Sequence, residues 1–146
     1  MHEETSLLDI LCIANAPAER FASGRETRRL AGVAGLPTTH FAMGHSTLDP
    51  GGSIPQHQHP NEEVYVVLSG SGVISVGDER QEVAEGCCVF IPPDAPHVLH
   101  NTGNGEMTVL WVYAPADVVD HWAEERAGRL VAPPAPGPTH QAEEET

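Results

Sequence analysis

Residues 57–67 read HQHPNEEVYVV, two histidines and two glutamates leading into a run built to be buried. On a strand, alternate side chains share a face, so His57, His59 and Glu63 point the same way as Tyr65 and Val67. Pro60 interrupts strict pairing, but the turn HPNE can return Glu63 to that side. Val64 and Val66 fill the other face, so both faces are covered and the polar set is interior. Gln56, Gln58 and Glu62 fall on the opposite parity and are expected to face away.

Two imidazoles and a carboxylate buried without partners cost several kcal/mol or change their protonation state. A divalent cation removes that cost. His-x-His suits it because alternate strand residues converge on one point, and the later carboxylate adds charge and a harder donor. A fourth ligand is available in IPPDAPHVLHN, residues 91–101. His97 enters a strand after a proline-rich turn, and His100 has the opposite parity, so His97 is the expected ligand.

Outward from this stretch, short apolar or alternating runs recur between about Arg28 and Pro115: THFAMGHSTL, EEVYVVLSG, SGVISVGD, QEVAEG, CCVFIPP, HVLHNTG and EMTVLWVYAP. Gly, Pro, Asn and Asp separate them, the pattern of many short strands in a sandwich or barrel. GDER and NTGNGE read as hairpin turns, which predicts antiparallel meanders. After Pro115, ADVVDHWAEERAGRL has Val118, Val119, Trp122 and Arg126 about one turn apart, the spacing of a helix over 116–130 that covers the end of the sheet. The expected organisation is an arm over 1–27, a barrel over 28–115, that helix, and a disordered Pro-rich acidic tail over 131–146.

The spacing matches two family motifs. Gly51, His57, His59, Glu63 and Gly70 fill every defining position of G(x)5HxH(x)3E(x)6G, which resembles the first motif of the cupin superfamily. Gly86, Pro92, His97 and Asn101 resemble the second, G(x)5PxG(x)2H(x)3N, with Asp94 where the family has glycine. Asp tolerates turn conformations better than most residues, so the fold is expected to accept it. Fifteen residues separate the motifs, as in compact microbial cupins.

The resemblance implies an all-β, single-domain jelly-roll barrel with a short C-terminal helix, in which His57, His59, Glu63 and His97 hold one divalent metal. Fe(II) is the first expectation, with Zn, Ni, Mn or Cu as alternatives. One or two coordination positions stay open, so the resemblance implies an enzyme acting on a small organic molecule that chelates through oxygen. Oxygen-dependent, dioxygenase-type oxidation is the leading expectation. A non-redox Lewis-acid reaction by a polyketide cyclase, isomerase, lyase or decarboxylase is the alternative, and a non-catalytic ligand-binding module is the third. Tyr65, on the same face as the ligands, is a candidate for moving a proton or orienting substrate, beside the plainer role of pocket wall. His45, which alternates with Met43 on the strand before the first motif, is a candidate to line the pocket and support the chemistry. His40, His100, His121 and His140 are given no role.

Charge narrows the partners. The 146 residues carry 21 acidic groups against seven basic ones, for a formal net charge of −14. Such a surface repels phosphate backbones and anionic lipid, so nucleic-acid and membrane roles are disfavoured. The seven basic residues are all arginine, and the absence of lysine suits a GC-rich genome. No run approaches the ~18 apolar residues that span a bilayer, and no signal-like N-terminus is present, so the expected location is cytoplasmic. Cys12, Cys87 and Cys88 are too few for a disulfide scaffold and read as buried thiols. Phe90, Trp111 and Tyr113 read as core. The apolar SLLDILCIANA near the N-terminus, ambiguous between helix and strand, is expected to cover a neighbouring copy in a homodimer.

Overall fold

A computed structural model describes residues 7–116 and 121–130. After a 3-10 turn at Ile13–Asn15, ten strands follow in order: β1 (Ala18–Phe21), β2 (Arg25–Ala31), β3 (Ala42–Leu48), β4 (Ser53–His57), β5 (Glu62–Ser69), β6 (Ser71–Val76), β7 (Glu79–Ala84), β8 (Cys88–Ile91), β9 (His97–Asn101) and β10 (Met107–Ala114). One helix, α1 (His121–Arg126), closes the described chain. The strands form two antiparallel sheets, β1-β2-β3-β10-β5-β8 and β4-β9-β6-β7, packed as a jelly-roll sandwich.

Alternation explains the pairing. On β10, Met107, Val109, Trp111 and Tyr113 are buried, and on β3 Ala42, Gly44, Ser46 and Leu48 are. These residues meet Tyr65 and Val67 of β5 and Ile54, Ile74 and Leu99 of the second sheet in one core. Each fully buried aliphatic side chain stabilises by roughly 1.5–3 kcal/mol before its entropy cost. Trp111 lies beside Gly44, its register partner, where a Cβ would stand 2.1 Å from the indole. That close approach needs glycine and fixes the ring against the sheet.

All seven expected strand runs are present, but the first sheet starts earlier, at Ala18. β1 and β2 are charged, and β2 turns Arg25 inward, so apolar periodicity does not reveal them. Gly77–Asp78 makes the β6–β7 hairpin. NTGNGE does not make a hairpin: β9 and β10 belong to different sheets. Asn101 builds that corner instead, its amide donating to the carbonyls of Leu48, Asp49 and Gly105 while its Oδ1 accepts from the Gly103 N–H. Asp94 adopts φ +65°, the left-handed conformation that glycine takes without strain, and its N–H donates to the His59 carbonyl at 2.7 Å.

The thiols are not buried as a set: Cys12 and Cys88 are exposed and Cys87 is intermediate. Phe90 is 58% exposed, because β8 is an edge strand whose Cys88 and Phe90 share the outer face. Apart from the 3-10 turn, residues 7–17 have no regular structure. The expected helix positions Val118 and Val119 and the tail from Val131 lie outside the described residues. Among the described residues no helix is long and apolar enough to cross a membrane.

Candidate metal centre

His57 ends β4 and stands opposite His97, which opens β9, in the β4–β9 ladder. Glu63 reaches the same point from β5 in the other sheet. His59 sits in the turn between, where its carbonyl accepts from Asp94 and the Asn61 side chain donates to the Pro115 carbonyl at 2.7 Å. The face-sharing expected along a strand is thus achieved by a turn tied at two points. One ligand atom from each of His57, His59, Glu63 and His97 lies within 4.8 Å of all the others, and all four residues are buried.

Each imidazole is oriented by its own local backbone. Nδ1 of His57 lies 2.7 Å from the Pro55 carbonyl, Nδ1 of His59 lies 3.1 Å from that of Asn61, and Nδ1 of His97 lies 2.9 Å from that of Ala95. A carbonyl only accepts, so each Nδ1 carries the proton and each Nε2 faces the cluster, the arrangement that supports metal-binding histidines. Nε2 of His59 is 3.0 Å from Glu63 Oε1. Nε2 of His97 is 3.4 Å from the same oxygen, buried, and without a hydrogen bond.

Burial, with the neighbouring His97 imidazole second, pushes the His57 pKa down to about 3, leaving a neutral lone pair. Burial opposes charge on His59, but the Glu63 carboxylate outweighs it and holds the His59 pKa up. Glu63 is held low by the reverse balance, burial pushing its pKa up and the His59 hydrogen bond with the nearby His59 and His97 imidazoles outweighing it. A neutral donor at His57, an orphaned Nε2 at His97 and a carboxylate between them are complementary to a cation. The donor set fits a divalent metal with three nitrogens and one oxygen.

Tyr65 is fully buried beside this cluster, its ring 6.0 Å from that of His97. Burial, then the nearby Glu63 charge, raises its pKa well above the ordinary phenol value. It lines a cavity of about 10 Å³ with Arg25, Ile54, His57, Glu63, Trp111, Tyr113 and Trp122, room for about one water. Trp111, Tyr113 and Trp122 also line a larger cavity of about 230 Å³ whose other walls include Arg29, Ala31, Val33 and Ala42. The Trp111 and Tyr113 rings are stacked, 5.6 Å apart and 8° from parallel. The two aromatics expected as core belong to it, and they also form walls shared by both spaces.

His45 is not brought to the cluster. It lies on the outer face of β3 with Met43 and Thr47, paired across to Arg28 and Leu110. The inward face belongs to Gly44 and Ser46, because Trp111 requires the glycine inside. Three residues near the site carried no sequence signal for it: Arg25, Trp122 and Glu125. Arg25 is inward on a charged strand, and the other two come from α1, so only the folded chain brings them together.

The cupin domain family model matches residues 44–113. An uncharacterized protein of Streptomyces coelicolor is 35% identical over 82 residues, covering 56% of this chain and 77% of that protein. TcmJ, a tetracenomycin polyketide synthase protein of Streptomyces glaucescens, is 31% identical over 101 residues, 68% of this chain and 66% of its own length. Among solved structures, the polyketide cyclase RemF from Streptomyces resistomycificus aligns with a TM-score of 0.63 at 22% identity, over 81% of this chain and 92% of that one. With the first motif filled, the second departing only at Asp94, and their four polar side chains gathered between the sheets, the chain belongs to the cupin family.

Proposed function

We propose that the protein is a metal-dependent enzyme that cyclises or isomerises a small, oxygen-chelating organic substrate of the polyketide type. The observation that carries this reading is the cluster itself: three Nε2 atoms and Glu63 converge, and the small cavity lined by His57 and Glu63 shares its stacked Trp111 and Tyr113 walls with the larger one. His57, His59, Glu63 and His97 would hold one divalent ion, which when bound polarises a carbonyl or enol oxygen as a Lewis acid. The apolar aromatic walls suit a planar substrate and exclude water from it. Tyr65, buried in the small cavity that His57 and Glu63 line, keeps its proton at neutral pH and would orient a substrate oxygen as a hydrogen-bond donor. The similarity to a polyketide synthase protein and to a polyketide cyclase supports this substrate class.

Oxygen-dependent oxidation of a chelating enol, catechol or keto acid is the second reading, supported by the same three-histidine, one-carboxylate donor set with its open positions. One experiment tests both: turnover of a poly-β-carbonyl substrate by metal-loaded protein, with and without oxygen. Metal-dependent product under strict anaerobiosis supports the first reading. Stoichiometric oxygen uptake overturns it and supports the second.

A homodimer suits the apolar side chains left on the surface, with Leu7 99%, Ile10 75% and Phe90 58% exposed. A monomeric mass in solution at micromolar concentration contradicts that part of the proposal.

A further inference from the structure

Arg25 is the largest fully buried side chain described, 1% exposed, and it lines the same small cavity as His57, Glu63 and Tyr65. It is held from behind by a chain of hydrogen bonds: Nη1 donates to Thr27 Oγ1 at 2.7 Å, Thr27 Oγ1 and Ser46 Oγ are 2.8 Å apart, and Trp111 Nε1 donates to Ser46 Oγ at 3.0 Å. The guanidinium also lies over the Phe21 ring at 4.3 Å and the Trp122 ring at 5.0 Å. Its other terminal nitrogen pairs with Glu125 of α1, whose second oxygen accepts from Ser23 Oγ at 2.8 Å. Nε is buried and has no hydrogen-bond partner.

A buried Arg–Glu pair is a weak source of stability, since desolvating both charges costs about what their attraction returns. A guanidinium presents its donors as a planar fork suited to two carboxylate oxygens. Here one fork position is taken by Glu125 and the adjacent Nε is unused, while Thr27, Phe21 and Trp122 keep the group in place. We propose that Arg25 receives a carboxylate of the substrate, and that Glu125 occupies its place until substrate displaces it. The substrate is then a carboxylic acid that chelates through oxygen at one end and meets Arg25 with a second anionic group. This inference rests on the metal-centre reading above, because the chelating end needs the ion. With Glu125 displaced, a divalent cation and Arg25 against Glu63 leave the cavity positively charged, and an anionic substrate restores the balance.

The test uses two acids with the same 2-oxo acid head, 2-oxoglutarate with a distal carboxylate and 2-oxopentanoate without one. Their binding to zinc-loaded protein is measured by calorimetry, after a zinc titration of each variant. Glu125→Gln removes the resident carboxylate and keeps its shape. The double variant Arg25→Gln, Glu125→Gln removes the guanidinium as well and leaves no lone buried charge to unfold the chain. Glu125→Gln is expected to prefer 2-oxoglutarate by about tenfold, and the double variant to bind the two acids equally. Equal binding by Glu125→Gln, or a preference that survives without Arg25, overturns the inference and leaves the metal centre standing. Failure of the wild-type protein to take up zinc overturns both.

Discussion

His57 and His97 face each other across the β4–β9 ladder with ring centroids 4.2 Å apart, each Nδ1 held by the carbonyl two residues earlier. The strands thereby aim two Nε2 atoms at Glu63 before any ion arrives, so ion binding needs little reordering of these rings. His97→Ala is expected to weaken zinc binding at least tenfold, and Glu63→Gln, which keeps the shape but removes the charge, by about a hundredfold. Competition with a zinc-chelating dye measures both. Affinities within twofold of wild type contradict the assignment.

Metal uptake is expected to depend on pH in a direction set by His59. Its pKa is raised in the metal-free protein by Glu63, and that proton must leave before Nε2 can bind an ion. Zinc affinity therefore falls as pH drops through the raised His59 pKa, by about tenfold per pH unit below it. Glu63→Gln removes the cause of the shift and moves the fall to lower pH.

Metal loading stabilises the fold. An ion that binds only the native cluster adds about 2.7 kcal/mol at a free concentration a hundred times Kd. The melting temperature of wild-type protein rises with added zinc, and that of Glu63→Gln rises much less. A similar rise in both places the bound zinc elsewhere.

Gly44 and Asp94 give a pair of opposite backbone predictions. Gly44→Ala forces the Trp111 indole out of its seat and is expected to cost about 1–3 kcal/mol in denaturant unfolding. Asp94 already sits at positive φ, so Asp94→Gly is expected to leave stability unchanged or raise it by up to about 1 kcal/mol, while Asp94→Val lowers it by about 1–2 kcal/mol.

The sequence disclosed the four residues of the candidate metal cluster because they obey local rules. Strand parity and motif spacing grouped His57, His59 and Glu63, and parity chose His97 over His100. Asp94 was legible as a turn residue for the same local reason. What was not legible lies far apart along the chain. Arg25 and Glu125 are 100 residues apart, one on a charged strand and the other on a helix, and neither shows a partner in its own neighbourhood. His45 has inward parity only if Gly44 does not, and the bulk of Trp111 on the neighbouring strand decides that. The β9–β10 link resembles a hairpin by composition, but the hydrogen bonds of Asn101 turn it into a corner between sheets. Phe90 illustrates a further limit, since an apolar edge strand reads the same whether its outer face is covered or exposed.

The most direct test of the central claim is an anomalous difference map from crystals of the zinc-loaded protein. One peak per chain is expected between the sheets, bonded at about 2.0–2.2 Å to Nε2 of His57, His59 and His97 and to a Glu63 oxygen. No peak there, or zinc bound through other residues while these four keep their present contacts, contradicts it.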